Sequence, residues 1–125
     1  PPRWMARLAA ACDVGLSLET EISENLSLSL TNKIFTYLLA GMPVIMSDTP
    51  AQRRLAPDLG DAARLVSLAD PAGIARMLDD LAAPSAFDAA SASAWRLGRE
   101  RYNWEHEQAG LLHSVEAAFA SRGTG

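Results

Sequence analysis

The feature that most constrains the fold of this chain is its alternation between short apolar segments and longer segments with helical periodicity. Residues 14–18, 44–47 and 64–68 are short and apolar enough for buried strands, and apolar residues at helical spacing separate them. Strands that alternate with helices through short connections pair in parallel by right-handed crossovers. The sequence therefore predicts the α/β class, with about half of a doubly wound parallel sheet and flanking helices.

Capping residues and prolines mark where the predicted helices begin. Ser, Thr, Asp and Asn side chains accept hydrogen bonds from the free N–H groups of a first turn, and proline suits the first helical position. The predicted starts, in chain order, are Thr31, residues 48–50, residues 70–71, Pro84 and Asn103. Asp48 is expected to act as a cap of the second of these helices rather than to contact a ligand. The helix after Thr31 is expected to end at Gly41, and the helix after residue 50 to run through Leu55.

Two further segments complete this outline. Residues 19–31 are polar at first and then alternate Leu with Ser, and they are interpreted as a loop that leads into a helix. The helix that starts at Asn103 has an apolar side. That side is formed by Trp104, Leu111, Leu112, Val115 and Phe119.

Length and charge exclude several classes of protein. A chain of 125 residues suits one domain with one core. A net charge of -4 disfavours nucleic acid or an anionic membrane surface as partner, since both need clustered Lys and Arg. No apolar run approaches the ~20 residues of a membrane span. The chain starts with Pro1 and without a secretory signal, which predicts a cut inside a longer cytoplasmic polypeptide.

Some side chains that could suggest chemistry have simpler explanations. Cys12 lies on an apolar stretch without a second thiol nearby, and it is expected to be a small buried residue. His106 and His113 are two helical turns apart, too far to share a metal ion, so no metal site is predicted. Trp95 and Trp104 could stack on a sugar, but they are expected to pack the last two helices onto the sheet, in the core or between domains.

Binding chemistry is expected where the parallel strands end. Ligands of such sheets bind outside the carboxyl ends of the strands, and residues 19–33 and 47–51 occupy those positions. The helix after Thr31 offers free N–H groups and a partial positive charge, which suit a phosphate. Ser29, Asn32 and Lys33 surround that end, and Thr36 shares a helix face with Lys33. An ordinary helix cap beside a solvated lysine explains the same residues, so both interpretations remain open here.

A specific resemblance favours the ligand-binding interpretation. Residues 31–48 (TNKIFTYLLAGMPVIMSD) are similar to the donor-site segment of GT-B glycosyltransferases of the family 4 type, also called glycosyl transferases group 1. Those enzymes typically have NKLFEYLAAGLPVVASD there. Residues 9–16 (AAACDVGL) and 101–105 (RYNWE) resemble a helix-strand step and a late turn of the same family. The three segments occur in the same order and at similar spacing.

The resemblance implies the fold, the activity and the site. The implied unit, residues 1–125, is a single truncated Rossmann-like carboxyl-terminal domain that binds a nucleoside-diphosphate sugar, with its final helices at about 85 to 121. Transfer of the sugar would proceed with retention of configuration and without a metal. The implied substrate-binding residues are Ser29, Leu30, Thr31, Asn32, Lys33 and Thr36. Backbone N–H groups at residues 29–31 would hold the diphosphate.

Two departures from the family pattern leave an alternative open. Thr36 replaces a Glu that accepts from the ribose hydroxyls in the family, and this change weakens the ribose contact by about 1 to 3 kcal/mol. The earlier acidic position falls on Leu28, for which Glu24 could substitute only if the loop bends back. The alternative is a non-catalytic nucleotide-binding or interaction module derived from the same fold. Sugar-nucleotide epimerases have similar domains but lack motif support here.

The implied partners lie outside the chain itself. In the family, an Arg and a Lys that neutralise the departing diphosphate precede the matched region, and an amino-terminal domain holds the acceptor. We therefore assign no catalytic residue and expect this chain alone to be inactive. The amino-terminal domain of the same protein is an expected partner. A truncated sheet also exposes an edge and an apolar face, which predicts a homodimer.

Overall fold

A computed structural model describes residues 4, 7, 8, 11–20 and 29–122. Three strands and five α-helices lie within these residues. In chain order they are β1 (Gly15–Ser17), α1 (Asn32–Leu39), β2 (Val44–Ser47), α2 (Pro50–Leu59), β3 (Ala63–Val66), α3 (Pro71–Ala82), α4 (Pro84–Glu100) and α5 (Trp104–Arg122). A 3₁₀ turn at Gly60–Ala62 joins α2 to β3.

The strands form one parallel sheet in the order β1-β2-β3. Ser17 at the end of β1 pairs with Met46, and Ser47 at the end of β2 pairs with Val66. Helices connect and flank the strands, so the α/β class and the Rossmann-like parallel sheet predicted from the sequence are confirmed. Each strand is shorter than its predicted segment or shifted by a residue, except β2, which matches it.

The main core lies between the sheet and helices α1, α2 and α4. Every residue of β2 is buried, because strands flank it on both sides and helices cover it. Ile34 and Leu38, four residues apart on α1, face this strand and are fully buried. The core cluster consists of Ile34, Leu38, Val44, Met46, Leu55, Leu59, Ala62, Ala63 and Ala94.

Small residues allow α4 to approach α1 closely. Ala90, Ala94 and Gly98 recur at every fourth position and are the buried residues of α4. A Cβ atom at Gly98 would lie 2.7 Å from the carbonyl oxygen of Leu38, so only glycine fits against the α1 backbone there. This contact fixes the position of α1, whose first turn contains the predicted phosphate site.

The two tryptophans do not belong to the core, so the prediction that they pack the last helices onto the sheet was wrong, while contact with another domain stays a prediction. Trp95 is 49% exposed, and the guanidinium of Arg99 lies 5.5 Å from the centre of its ring. Trp104 is 63% exposed. The small buried residues of α4 make the close contact with α1 instead, because a bulky side chain at the same positions would hold the two helices apart.

Most predicted helix starts are confirmed, with one shift and one extension. Asp70 accepts from the N–H of Gly73 at 2.9 Å and caps α3, and Asn103 accepts from the N–H of His106 at 2.8 Å and caps α5. Thr49, rather than Asp48, caps α2. Helix α2 continues past Leu55 to Leu59, since both residues are buried against the core.

The apolar side of α5 is not covered by the described part of the chain. Its large apolar side chains are all exposed: Trp104, Leu111, Leu112, Val115 and Phe119. Cys12 is exposed as well, which corrects its predicted burial, and its thiol lies 3.5 Å from the carbonyl oxygen of Leu8. No helix among the described residues is long and apolar enough to cross a membrane.

Candidate functional site

A cleft of about 370 Å³ lies at the edge of the sheet where all three strands end. Residues that immediately follow β1, β2 and β3 form its walls, as expected for a parallel sheet. The lining residues are Glu19, Thr20, Ser47, Asp48, Thr49, Ser67, Leu68 and Ala69. Six of these eight residues carry a hydroxyl or a carboxylate group.

A buried polar network forms the floor of the cleft. Gln52, on the first turn of α2, is fully buried, and its side-chain amide donates to the carbonyl and hydroxyl oxygens of Ser17, each at 3.2 Å. The hydroxyl of Ser47 donates to Gln52 Oε1 at 3.0 Å. One side chain of α2 therefore ties together the carboxyl ends of β1 and β2, and every polar group in this floor has a partner.

Glu19 links this floor to the start of α1. Its backbone N–H donates to the hydroxyl oxygen of Ser47 at 2.8 Å, which positions the residue at the edge of the cleft. Its carboxylate oxygen Oε1 lies 2.7 Å from Lys33 Nζ and accepts from the hydroxyl of Thr31 at 3.4 Å. Two predicted site residues thus meet at one carboxylate that the sequence did not single out.

The first turn of α1 is free of side-chain caps, which corrects the prediction for Thr31. Thr31 occupies the N-cap position with extended backbone, but its hydroxyl makes no capping hydrogen bond. The hydroxyl lies 3.3 Å from Ser17 Oγ and close to Glu19 instead. No acidic residue lies in this first turn, so the partial positive charge at the helix start is not offset from within the helix.

The remaining predicted site residues are exposed or are bonded within α1. Ser29, Leu30 and Asn32 are exposed. Thr36 donates its hydroxyl to the carbonyl oxygen of Asn32 at 3.0 Å, within the same helix. Among the described residues, none of the six predicted site residues lines the cleft directly; Lys33 and Thr31 reach it through Glu19. Residues 21–28, including Glu24 and Leu28, lie outside the described residues.

Both carboxylates that line the cleft are paired with cations. Glu19 is paired with Lys33, and Arg53 donates from Nε to Asp48 Oδ1 at 2.6 Å. The hydrogen bond from Arg53 lowers the pKa of Asp48, outweighing a smaller opposing effect of burial. Solvent screens the Asp48 pair because both side chains are largely exposed. The walls of the cleft are therefore close to electrical neutrality.

Sequence reasoning located the two edge segments but missed the residues that organise them. Glu19, Thr20, Ser47, Asp48 and Thr49 lie within the stretches expected to bind ligand. The role of Gln52 was missed, because a glutamine in the first turn of a surface helix usually faces solvent. The available signal was a serine at the last position of each of two strands, since a buried hydroxyl needs a partner.

Comparisons with known proteins add no relative. No model of a protein family, no curated protein and no solved structure matches this chain.

Proposed function

We propose that this chain is the donor-binding part of a retaining glycosyltransferase, which transfers a sugar from a nucleoside-diphosphate sugar to an acceptor. The observation that carries the proposal is the convergence of a polar cleft, Lys33 and an uncapped helix start at the carboxyl edge of a parallel sheet. The resemblance of residues 31–48 to a donor-site segment supports it. The diphosphate would lie at the first turn of α1.

A facing amino-terminal domain of the same cytoplasmic protein would hold the acceptor and supply the cations for the departing diphosphate, so this chain alone would bind donor without transferring its sugar. No metal is required, because those cations would stabilise the leaving group. The exposed apolar side of α5 favours association of the isolated chain into a homodimer.

One observation favours a second candidate, a nucleotide-binding or interaction module without transferase activity. The hydroxyl of Thr36 is engaged with the backbone of its own helix. It also lacks the two charged oxygens with which a carboxylate at this position would hold a ribose. A donor bound here would therefore have a weaker ribose contact than in the family that the segment resembles.

Titration with UDP, GDP and ADP, followed by calorimetry and amide NMR shifts, tests the proposal. We expect saturable binding of one nucleotide, weakened about three- to tenfold by Lys33→Ala because a charged hydrogen bond to phosphate is lost. Thr36→Glu should strengthen binding by restoring a carboxylate for the ribose. Arg76→Ala is the matched control, since Arg76 lies on α3 with its charge paired to Asp70.

The results of this titration distinguish the glycosyltransferase from the non-catalytic module. Binding that responds to Lys33→Ala but produces no transfer in the complete protein would favour the non-catalytic module. No saturable binding at millimolar nucleotide, or binding that Lys33→Ala leaves unchanged, would contradict a donor site at the start of α1.

A further inference from the structure

Lys33 is the only lysine of the chain, and its ammonium is already paired with a carboxylate. The Nζ atom lies 2.7 Å from Glu19 Oε1. The Lys33 side chain is 48% exposed and that of Glu19 only 14%. The cation at the proposed phosphate site is therefore accessible to solvent, while its present partner is held against the protein.

Contacts on two sides hold Glu19 in this position. Its backbone N–H is bonded to Ser47, whose hydroxyl is fixed in turn by the buried amide of Gln52. Its carboxylate also accepts from the hydroxyl of Thr31, on the side of α1. The carboxylate thus does not depend on Lys33 alone for its place.

We infer that Glu19 competes with anionic ligands for Lys33 and so determines which anions this site admits. A phosphate that approaches Lys33 either displaces the Glu19 carboxylate or lies beside it, and both arrangements are unfavourable because like charges repel. Glu19 is then a specificity-determining residue that excludes weakly bound free anions. The inference rests on the proposed phosphate site at Lys33, but not on the identity of the nucleotide.

The test compares the unchanged protein with Glu19→Gln, which keeps the size of the side chain and the backbone N–H while removing its negative charge. Each protein is titrated by calorimetry with inorganic pyrophosphate and, separately, with UDP. We expect Glu19→Gln to bind pyrophosphate about two- to fivefold more tightly, the range set by an ion pair that is partly exposed to solvent. Asp58→Asn is the matched control, because it removes a carboxylate paired with Arg101 outside the cleft.

NMR of the lysine side chain gives a second readout, since its signal reports Lys33 alone. Pyrophosphate should shift this signal, and the shift should saturate at a lower pyrophosphate concentration in Glu19→Gln than in the unchanged protein. If Glu19→Gln fails to fold, Glu19→Asp replaces it: the shorter side chain withdraws the carboxylate from Lys33, and the affinity for pyrophosphate should again rise.

Each outcome of the pyrophosphate and UDP titrations either supports or overturns competition between Glu19 and anions for Lys33. Equal or weaker binding of pyrophosphate by Glu19→Gln would overturn it and would make Glu19 a group that assists the ligand. Tighter pyrophosphate binding without any UDP binding would support the inference and contradict the nucleotide-sugar function. If neither protein binds either anion, the inference fails together with the phosphate site.

Discussion

The side-chain amide of Gln52 donates to both the carbonyl and the hydroxyl oxygen of Ser17, each at 3.2 Å. The two residues are 35 positions apart in the chain, and both are fully buried. Through this contact the first turn of α2 holds the carboxyl end of β1, and through Ser47 it holds the end of β2. The floor of the cleft is therefore fixed by one side chain.

Replacement of Gln52 by Met should destabilise the protein by about 1–3 kcal/mol. Methionine keeps the approximate volume, so the loss reflects the buried groups of Ser17 and Ser47 that lose their partners rather than a cavity. Urea unfolding measures the change. Arg54→Ala, on the exposed side of the same helix, should change the free energy of unfolding by less than about 0.5 kcal/mol. An equally small effect of Gln52→Met would show that the hydrogen bonds of Gln52 contribute little to the stability of the protein.

Gly98→Ala should destabilise the protein by about 1–3 kcal/mol, although alanine is the better helix former. The added Cβ would lie within 2.9 Å of three backbone atoms of Leu38 and Leu39, which cannot move without displacing α1. Gly110→Ala is the matched control: it also lies inside a helix, but its Cβ would meet nothing within 4 Å. We expect it to be neutral or stabilising. Relative to the unchanged protein, the thermal unfolding temperature should fall for Gly98→Ala and stay equal or rise for Gly110→Ala. A stabilised Gly98→Ala would refute the close contact between α4 and α1.

Tyr102→Phe should leave the stability unchanged or raise it by up to about 1 kcal/mol. The hydroxyl of Tyr102 is buried without a hydrogen-bond partner in the part of the chain that the structure describes. Its ring packs against Phe35, with 5.3 Å between the ring centres, and phenylalanine keeps that contact. Denaturant unfolding at neutral pH gives the comparison, and a clear loss of stability would indicate that the hydroxyl is bonded.

Tyr102→Phe should also change how the stability of the protein depends on pH in the alkaline range. Burial raises the pKa of Tyr102 above its ordinary value of 10.0, with Arg101 opposing the shift and Asp58 and Glu107 adding to it. Above that value the unfolded chain releases this proton while the folded protein retains it, so the free energy of unfolding decreases as pH rises. The unchanged protein should lose more stability in this range than Tyr102→Phe. If the free energies of unfolding of the two proteins depended on pH in the same way, Tyr102 would not have a raised pKa in the folded protein.

Charged substitutions on the exposed side of α5 should prevent self-association without unfolding the domain. Leu112 and Phe119 are 59% and 70% exposed, so replacing both by Glu removes little packing from the monomer. We expect light scattering at micromolar concentration to give a dimer for the unchanged chain and a monomer for Leu112→Glu with Phe119→Glu. Glu116→Gln on the same helix is the control and should remain dimeric. A monomeric unchanged chain would exclude this dimer.

Local sequence determined where most strands and helices lie. The β2 segment matches its prediction, because four consecutive apolar or small residues between turn signals suit a fully buried strand. Asp70 and Asn103 cap their helices as predicted, since a capping bond joins residues only three positions apart. Such short-range patterns were sufficient to predict the α/β class and the edge of the sheet at which the cleft lies.

Tertiary structure alone decided which side chains meet at that edge. The partner of Lys33 is Glu19, and the partners of Gln52 lie on two different strands, because the parallel register brings the ends of β1 and β2 together. Thr31 lost its expected capping role for the same reason: its hydroxyl lies 3.3 Å from Ser17 Oγ and 3.4 Å from Glu19 Oε1, and it makes no capping hydrogen bond. Contacts between residues distant in the chain depend on sheet register and helix packing, which no local pattern specifies.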